Sequence, residues 1–447
     1  MSGLASRLRE IVRSTGRLEG RPLHEEEAGS NSRSSGRPIG TADPNVVAES
    51  LGGTWAEAHG QRYLVVDRSY SQGHRRGRVA MMDCLPPWPH LPLLAQPDSP
   101  ATRDARNRFL FIDLETTGLA GGAGTYAFLV GCAWFDGPTF RIRQFFLSAY
   151  AGERALLDGL AELAGGIAGI ISFNGKSFDL PLIETRYLYH RQQTPFAGMP
   201  HVDMLHPARR LWRSEEDEAA GVTASCRLSV LEQAVCGASR EADVPGFEIP
   251  ARYFNYVRSG DPGPLERVFE HNRLDLISLA LLTAEASRLL DEGPAAARTA
   301  REALGLGRLY ERGGLCDLAR ESYRIAAGIG PAEAGPCERR AAAAVTRAEA
   351  LRCYAVLCRR QRRFGDAAEA WRRILDLRRC PPHIAREATE ALAVHHEHRL
   401  RDPRSARQFA LRSLGFHASP SRQHATQYRL ARLERKLGVP TTDALQF

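Results

Sequence analysis

The sequence predicts an α/β domain, with a mixed sheet flanked by helices, followed by an all-α region of helical repeats. Three observations predict it. From residue 108 three β-patterned runs follow one another closely, a helical segment separates them from a fourth apolar run, and beyond residue 293 strand patterning stops.

Taken in order, residues 1–43 hold one short amphipathic stretch and then "HEEEAGSNSRSSGRPIGTADPN", which has the polar composition of a disordered arm. Residues 44–100 offer two strand candidates, "RYLVVDRSY" and "RVAMMD", ahead of a proline-rich connection, and are expected to form a small β-containing appendage. The runs "RFLFIDLET", "TYAFLVGCAWFDG" and "TFRIRQFFLS" then read as antiparallel strands, "ERALLDGLAELA" as a helix and "IAGIISF" as a buried strand. Helices follow in "LPLIETRYLYHR" and at about 225–237, 249–258 and 264–290. Three antiparallel strands, a helix, and a strand entering by crossover is the order of a ribonuclease-H-like core, which sets a domain over 101–292. The glycine-rich "GLAGGAG" at 118–124 lacks the Lys-Ser/Thr of a phosphate-binding loop and joins two strands, so it is read as a hairpin connection.

In 293–447, Leu306, Gly307, Tyr310, Gly314, Ala319, Tyr323, Ala326 and Pro331 fall at the offsets of a tetratricopeptide repeat, a helix-turn-helix unit. Ala367 and Ala406 echo Ala319 at longer spacings, predicting a short α-solenoid of about three hairpins, with a generic helical bundle as the alternative.

Composition narrows the function classes. The longest apolar runs, such as "LISLALL", fall far short of the roughly 18 residues that span a bilayer, and the first residues lack the apolar core of a secretory signal, so no membrane association and a cytoplasmic location are expected. Nine cysteines without a C-x-x-C pair point away from a disulfide framework or a structural zinc site. The net charge of +8 is weak evidence for nucleic acid, because only Lys176 and Lys436 among the 60 basic residues are lysine, a chain-wide arginine bias.

The chemistry lies in three segments. In "FLFIDLETTGL" Asp113 and Glu115 stand two apart on a strand and share one face; alone, such a pair is usually a solvated surface, but here it is set among core residues. In "IISFNGKSFDLPLIETR" Asp179 follows a buried strand and opens a helix, where a carboxylate also complements the helix dipole. Asn174 either serves the site or shapes a turn with Gly175, and Lys176 either meets a substrate phosphate or is a chance lysine. In "VFEHNRLDLISLALL" His271 and Asp275 interrupt the apolar stripe formed by Val268, Leu279 and Leu282. Four carboxylates and one histidine drawn from separate elements suit two divalent cations, Mg²⁺ or Mn²⁺, with His271 able to take a proton from the attacking water.

"FIDLETTGL", "SFNGKSFDLPLIETR" and "FEHNRLDLISL" resemble the three exonuclease motifs of the DEDD superfamily, and the middle one is similar to the second exonuclease motif of family B DNA polymerases. With "HVDMLHPARRLW", "CRLSVLEQAV", "DVPGFEIPARYFNYVRSGD" and the repeat tail, the chain from about 45 to 290 resembles the YprB-type ribonuclease-H-like family of bacteria. The resemblance implies that Asp113, Glu115, Asp179 and Asp275 bind two divalent ions and that nucleotides are removed from a 3′ end by hydrolysis. It also implies that Thr116 and Thr117 approach the terminal nucleotide. Asp203 stands where many relatives carry a further acid, although a helix cap explains it equally well. One departure stands out. The tyrosine subgroup ends in Tyr-x₃-Asp and the histidine subgroup in His-x₄-Asp, whereas this chain has His-x₃-Asp, with Asn272 pointing roughly 100° around the helix as a poorer base.

The leading expectation is a metal-dependent 3′–5′ exonuclease acting on DNA or RNA, its repeats holding a protein partner or widening the nucleic-acid path. A non-catalytic nucleic-acid-binding scaffold and an endonuclease on the same fold are the alternatives. The scaffold has no use for four converging acids that repel phosphate.

Overall fold

The computed structural model describes residues 43–95, 108–118, 124–213, 226–241, 243–329, 344–416 and 420–438. The arm expected over 1–43, apart from its last residue, and the interior of the 118–124 connection lie outside these.

The main sheet has seven strands in the order β1 (Thr54–Ala58), β2 (Gln61–Tyr70), β7 (Thr139–Phe146), β6 (Ala127–Asp136), β5 (Phe109–Thr116), β8 (Gly169–Ser172) and β9 (His201–Asp203). Strands β5 to β7 form the expected antiparallel meander, and β8 enters parallel to β5 with Phe111 opposite Ile171. The crossover is α2 (Glu153–Ala164), because a parallel neighbour cannot be reached by a hairpin. Strands β1 and β2 come from the segment expected as a small β-containing appendage, 44–100, and they extend this same sheet: β2 pairs along β7, Leu64 opposite Phe146. The physical reason is that β7 is buried on Phe140, Ile142, Phe145 and Phe146 and needs a second partner for its backbone groups. The "RVAMMD" run is only a two-residue strand, β4 (Val79–Ala80), paired with β3 (Arg75–Arg76). It ends there because Met81 and Cys84 turn into the core on a 3₁₀ turn, whose Asp83 carboxylate accepts from the Ala80 N–H at 2.9 Å.

Period-2 alternation divides β5 between two cores. Leu110, Ile112 and Leu114 join Leu156 and Leu160 of α2 and Leu182 and Ile183 of α3 (Asp179–Tyr189) on one face. Phe109 and Phe111 join Leu276, Leu279 and Leu282 of α7 (Gly263–Glu292) on the other. Between them stand α4 (Leu205–Leu211), α5 (Leu228–Leu231), which runs on into a wider turn at Glu232–Cys236, and α6 (Ile249–Ser259); α1 (Pro44–Leu51) opens the described chain. The 30-residue α7 lies along the sheet on β5, β6 and β7, which brings its middle turns over the motif strand.

Beyond it the described residues are helical: α8 (Ala300–Arg312), α9 (Cys316–Ala326), α10 (Ala344–Arg360), α11 (Phe364–Leu375), α12 (Pro382–His395), α13 (Pro403–Leu414) and α14 (Pro420–Leu437). Adjacent helices pack as three hairpins, α8–α9, α10–α11 and α12–α13, with α14 closing the array. Ala319, Ala367 and Ala406 each occupy the fourth residue of the second helix of a hairpin, and all three are buried. Gly307 is without a side chain because a Cβ there would collide with the buried ring of Tyr323. The first hairpin is not set off from the α/β part. Tyr310 donates to the Leu290 carbonyl at 2.8 Å, and Trp212 donates to Glu302 at 3.2 Å, so one apolar cluster runs from Phe111 to Trp371.

Candidate active site

Strand alternation turns Asp113 and Glu115 toward α7, opposite Gly131 and Leu129 of β6. A bulge between Glu115 and Thr116 ends the regular pairing at that point, and bulges commonly re-aim the side chains beside them. Beyond it, the Thr116 hydroxyl donates to the Gly118 carbonyl at 3.0 Å, whereas the Thr117 hydroxyl accepts from the Tyr126 N–H at 2.9 Å and keeps its own proton to donate.

Asp179 is the first residue of α3, on a loop that the buried Asp203 organises. One oxygen of Asp203 accepts from the N–H groups of Asn174 at 2.7 Å and Leu205 at 3.1 Å, and the other from Lys176 N–H at 3.2 Å. Asp203 therefore ties the loop to the start of α4 and is spent on backbone groups. Asn174 takes φ +67°, a left-handed conformation that asparagine tolerates better than most side chains. Gly175 follows it because a Cβ would collide with the Ser172 hydroxyl. Lys176 is half-buried, and its ammonium makes no hydrogen bond or ion pair with the described residues.

On α7, His271 and Asp275 lie one turn apart, with His271 Nε2 3.5 Å from Asp275 Oδ2. The other ring nitrogen, Nδ1, is 2.6 Å from Asp243 Oδ1. Burial alone would raise the Asp243 carboxyl, but the hydrogen bond and charge of His271, with Arg240, outweigh it and hold Asp243 below the usual carboxylate range. An ionised Asp243 accepts the Nδ1 proton, which orients the ring and turns Nε2 toward Asp275. Arg240 completes the cluster: its guanidinium reaches Asp275 Oδ1 at 2.6 Å, Glu232 at 2.7 Å and Asp243 at 3.1 Å.

The carboxylates affect one another strongly. Burial, then the charges of Asp275 and Asp179, push the Asp113 carboxyl well above its ordinary range, against a hydrogen bond from Asn272. Glu115 is raised likewise by burial and then by Asp113, Asp275 and Asp179. Asp179 is pushed up to about 7, first by burial, then by Asp203, with Asp275 adding. Asp113, Glu115 and Asp179, each raised by burial and by neighbouring carboxylates, offer hard oxygen donors together with Asp275, and that donor set fits divalent cations such as Mg²⁺ or Mn²⁺. Among the described residues no three His, Cys, Asp or Glu side chains are already closed around one point, and Arg240 holds one oxygen of Asp275.

Three residues escaped the sequence reading. Asn272, set aside as a poorer base, is wholly buried and bonded to Asp113. Arg240 and Asp243 sit in a loop with no periodicity, so spacing singles out neither, and Asp243 opens the segment "DVPGFEIPARYFNYVRSGD" with no role assigned to it from the sequence.

Residues 110–287 match the family model described as the RNase_H superfamily. Over 336 residues the chain is 29% identical to the uncharacterized protein YprB of Bacillus subtilis (strain 168), covering 74% of this chain and 75% of that one. Among solved structures, the family B DNA polymerase from the hyperthermophilic archaeon Pyrobaculum calidifontis matches with TM-score 0.30 and 15% identity, over 50% of this chain and 29% of that one. No helix among the described residues is long and apolar enough to cross a membrane. The mixed sheet with its flanking helices, followed by the helical array, is the ribonuclease-H-like architecture expected from the sequence, and the superfamily match falls on residues 110–287 of it.

Proposed function

We propose that the protein is a metal-dependent 3′–5′ exonuclease that hydrolyses phosphodiester bonds of DNA or RNA. The observation that carries this reading is the approach of carboxylates from β5, α3 and α7, close enough that the Asp275 charge helps to raise Asp113, Glu115 and Asp179. Cations bound among such carboxylates would relieve that repulsion in use. Two divalent ions held by these four side chains would supply positive charge to the scissile phosphate and to the attacking water.

The chain's own groups have tasks beside them. His271 Nε2 accepts a proton from the attacking water, with Asp243 fixing the tautomer through Nδ1. The Lys176 ammonium and the Asn174 side chain stand on the loop before Asp179 and meet phosphate, while the Thr117 hydroxyl proton and the main chain at Thr116 meet the terminal nucleotide. The hairpins α8–α13, read as tetratricopeptide-like repeats, hold a protein partner.

The test follows 3′- and 5′-labelled single-stranded and duplex DNA and RNA with Mg²⁺ or Mn²⁺. Stepwise shortening from the 3′ end that stops on chelation is the expected result. Internal cuts would favour the endonuclease, and retention of the strand without any cleavage would favour the scaffold. His271→Ala should lower turnover by roughly 10²- to 10⁴-fold, the usual worth of a general base, with Mn²⁺ binding kept. Unchanged turnover would reject His271 as the base.

A further inference from the structure

Beneath the carboxylates lies a buried carboxamide relay, and the geometry points to it as the device that aims Asp113 at a metal. This inference rests on the exonuclease reading and extends it to residues outside the acid set. Asn272 and Gln144 are both 0% exposed. Asn272 Nδ2 donates to Asp113 Oδ2 at 2.8 Å and to the Asp113 carbonyl at 3.1 Å. Gln144 Nε2 donates to Asn272 Oδ1 at 2.9 Å and to the Phe269 carbonyl at 2.9 Å.

The direction of the relay is not free. A main-chain carbonyl only accepts, so Phe269 compels Gln144 to present its NH₂. The same NH₂ meets Asn272, which must answer with its oxygen. The NH₂ of Asn272 is then left facing Asp113, and it engages both the carboxylate and the carbonyl of one residue. Two bonds to one strand residue fix the rotation of its side chain, as partners of ligating carboxylates do in metal sites. No other hydrogen bond reaches the Asp113 carboxylate among the described residues, which leaves Oδ1 for a ligand.

Room for the relay comes from Gly131. It lies opposite Asp113 on β6, and a Cβ there would collide with Asn272 Oδ1 and its amide carbon. A glycine in the middle of a buried strand weakens the strand, so its presence calls for a close approach of this kind. Asn272, Gln144 and Gly131 are therefore positioning residues, none of which touches substrate.

The test is Mn²⁺ affinity of the full chain, measured by calorimetry and by loss of the free-ion electron paramagnetic resonance signal, well below each variant's melting temperature. Gln144→Met keeps volume and removes both donors, which frees the Asn272 amide to turn over. Gly131→Ala displaces Asn272 without removing any polar group. Asn272→Asp keeps shape and sets an acceptor against Asp113. Each should weaken Mn²⁺ binding by roughly 10- to 100-fold. A merely structural role would lower melting temperature and leave the affinity of the folded protein unchanged, and that result for Gln144→Met or Gly131→Ala overturns the inference. Should the variants not fold, the wild type still decides: the Asn272 side-chain amide protons must be protected from solvent exchange and shift on adding Mg²⁺, and rapid exchange overturns the relay. Mn²⁺ binding that Asp275→Ala abolishes and Gln144→Met leaves intact sinks this inference alone, whereas a wild type that binds no Mn²⁺ sinks the exonuclease reading with it.

Discussion

Asp113→Asn is expected to remove exonuclease turnover, by at least about 10²-fold, while making the metal-free protein more stable. The loss follows from charge: removing one preorganised electrostatic contact to a reacting centre commonly costs 10²- to 10³-fold. The gain follows from the same charge. Burial and the neighbouring Asp275 and Asp179 disfavour the ionised Asp113, so in the absence of cations it is a source of strain. The asparagine keeps the shape and still offers an oxygen to Asn272 Nδ2, which leaves the buried bond intact. Relief of repulsion at a functional site of this type is commonly worth about 0.5–2 kcal/mol. Denaturant midpoints in chelator, read beside 3′-end shortening with Mn²⁺, check both signs together. A variant that loses activity and stability in parallel would mean that Asp113 is a packing residue, and one that keeps activity would remove it from the acid set.

Opposite signs are informative because the two halves of this site were unequally legible in the sequence. Asp113 and Glu115 could be read from a strand's period of two, and His271 with Asp275 from a helix's turn, because regular elements carry side-chain direction in their spacing. The groups that hold those acids are scattered. Gly131 did leave a trace, a glycine inside the apolar run "TYAFLVGCAWFDG", where an isolated glycine signals close backbone approach. Gln144 left another, a polar residue on the apolar side of "TFRIRQFF", in phase with Phe140, Ile142 and Phe146. Read together, those two point to a polar partner crossing β6 and β7, which is Asn272. Strand β2 was legible as a strand but not as a member of the main sheet, and β1 was not singled out at all, since pairing across some 70 or more residues of chain depends on tertiary packing. Arg240 and Asp243 left no periodic trace, because a loop imposes no period, and Glu232 sits on the helical run "CRLSVLEQAV" with nothing in its spacing to name partners that lie on other elements.

That last cluster yields the other large effect. Arg240→Met should destabilise the fold by about 3–5 kcal/mol, the range for breaking a buried ion pair from one side. The Arg240 side chain is 5% exposed, and the Glu232 side chain it meets is 0% exposed. Burial alone would lower the Arg240 pKa, but Asp275 and Glu232 overcome it and raise the pKa beyond its ordinary value, so the guanidinium is bound into the cluster as a cation. Its loss is not shared equally. Glu232 keeps Arg76 at 2.6 Å and Asp243 keeps His271 at 2.6 Å, whereas Asp275 is left with His271 at 3.5 Å. The uncompensated charge is therefore that of Asp275, and Asp275→Ala should recover part of the loss when made together with Arg240→Met. A double-mutant cycle by chemical denaturation measures that recovery directly, with contacting residues expected to couple by about 0.5–3 kcal/mol. Additive behaviour, or a cost of Arg240→Met below about 1 kcal/mol, would mean that Asp275 is already open to water and that Arg240 does not shield it.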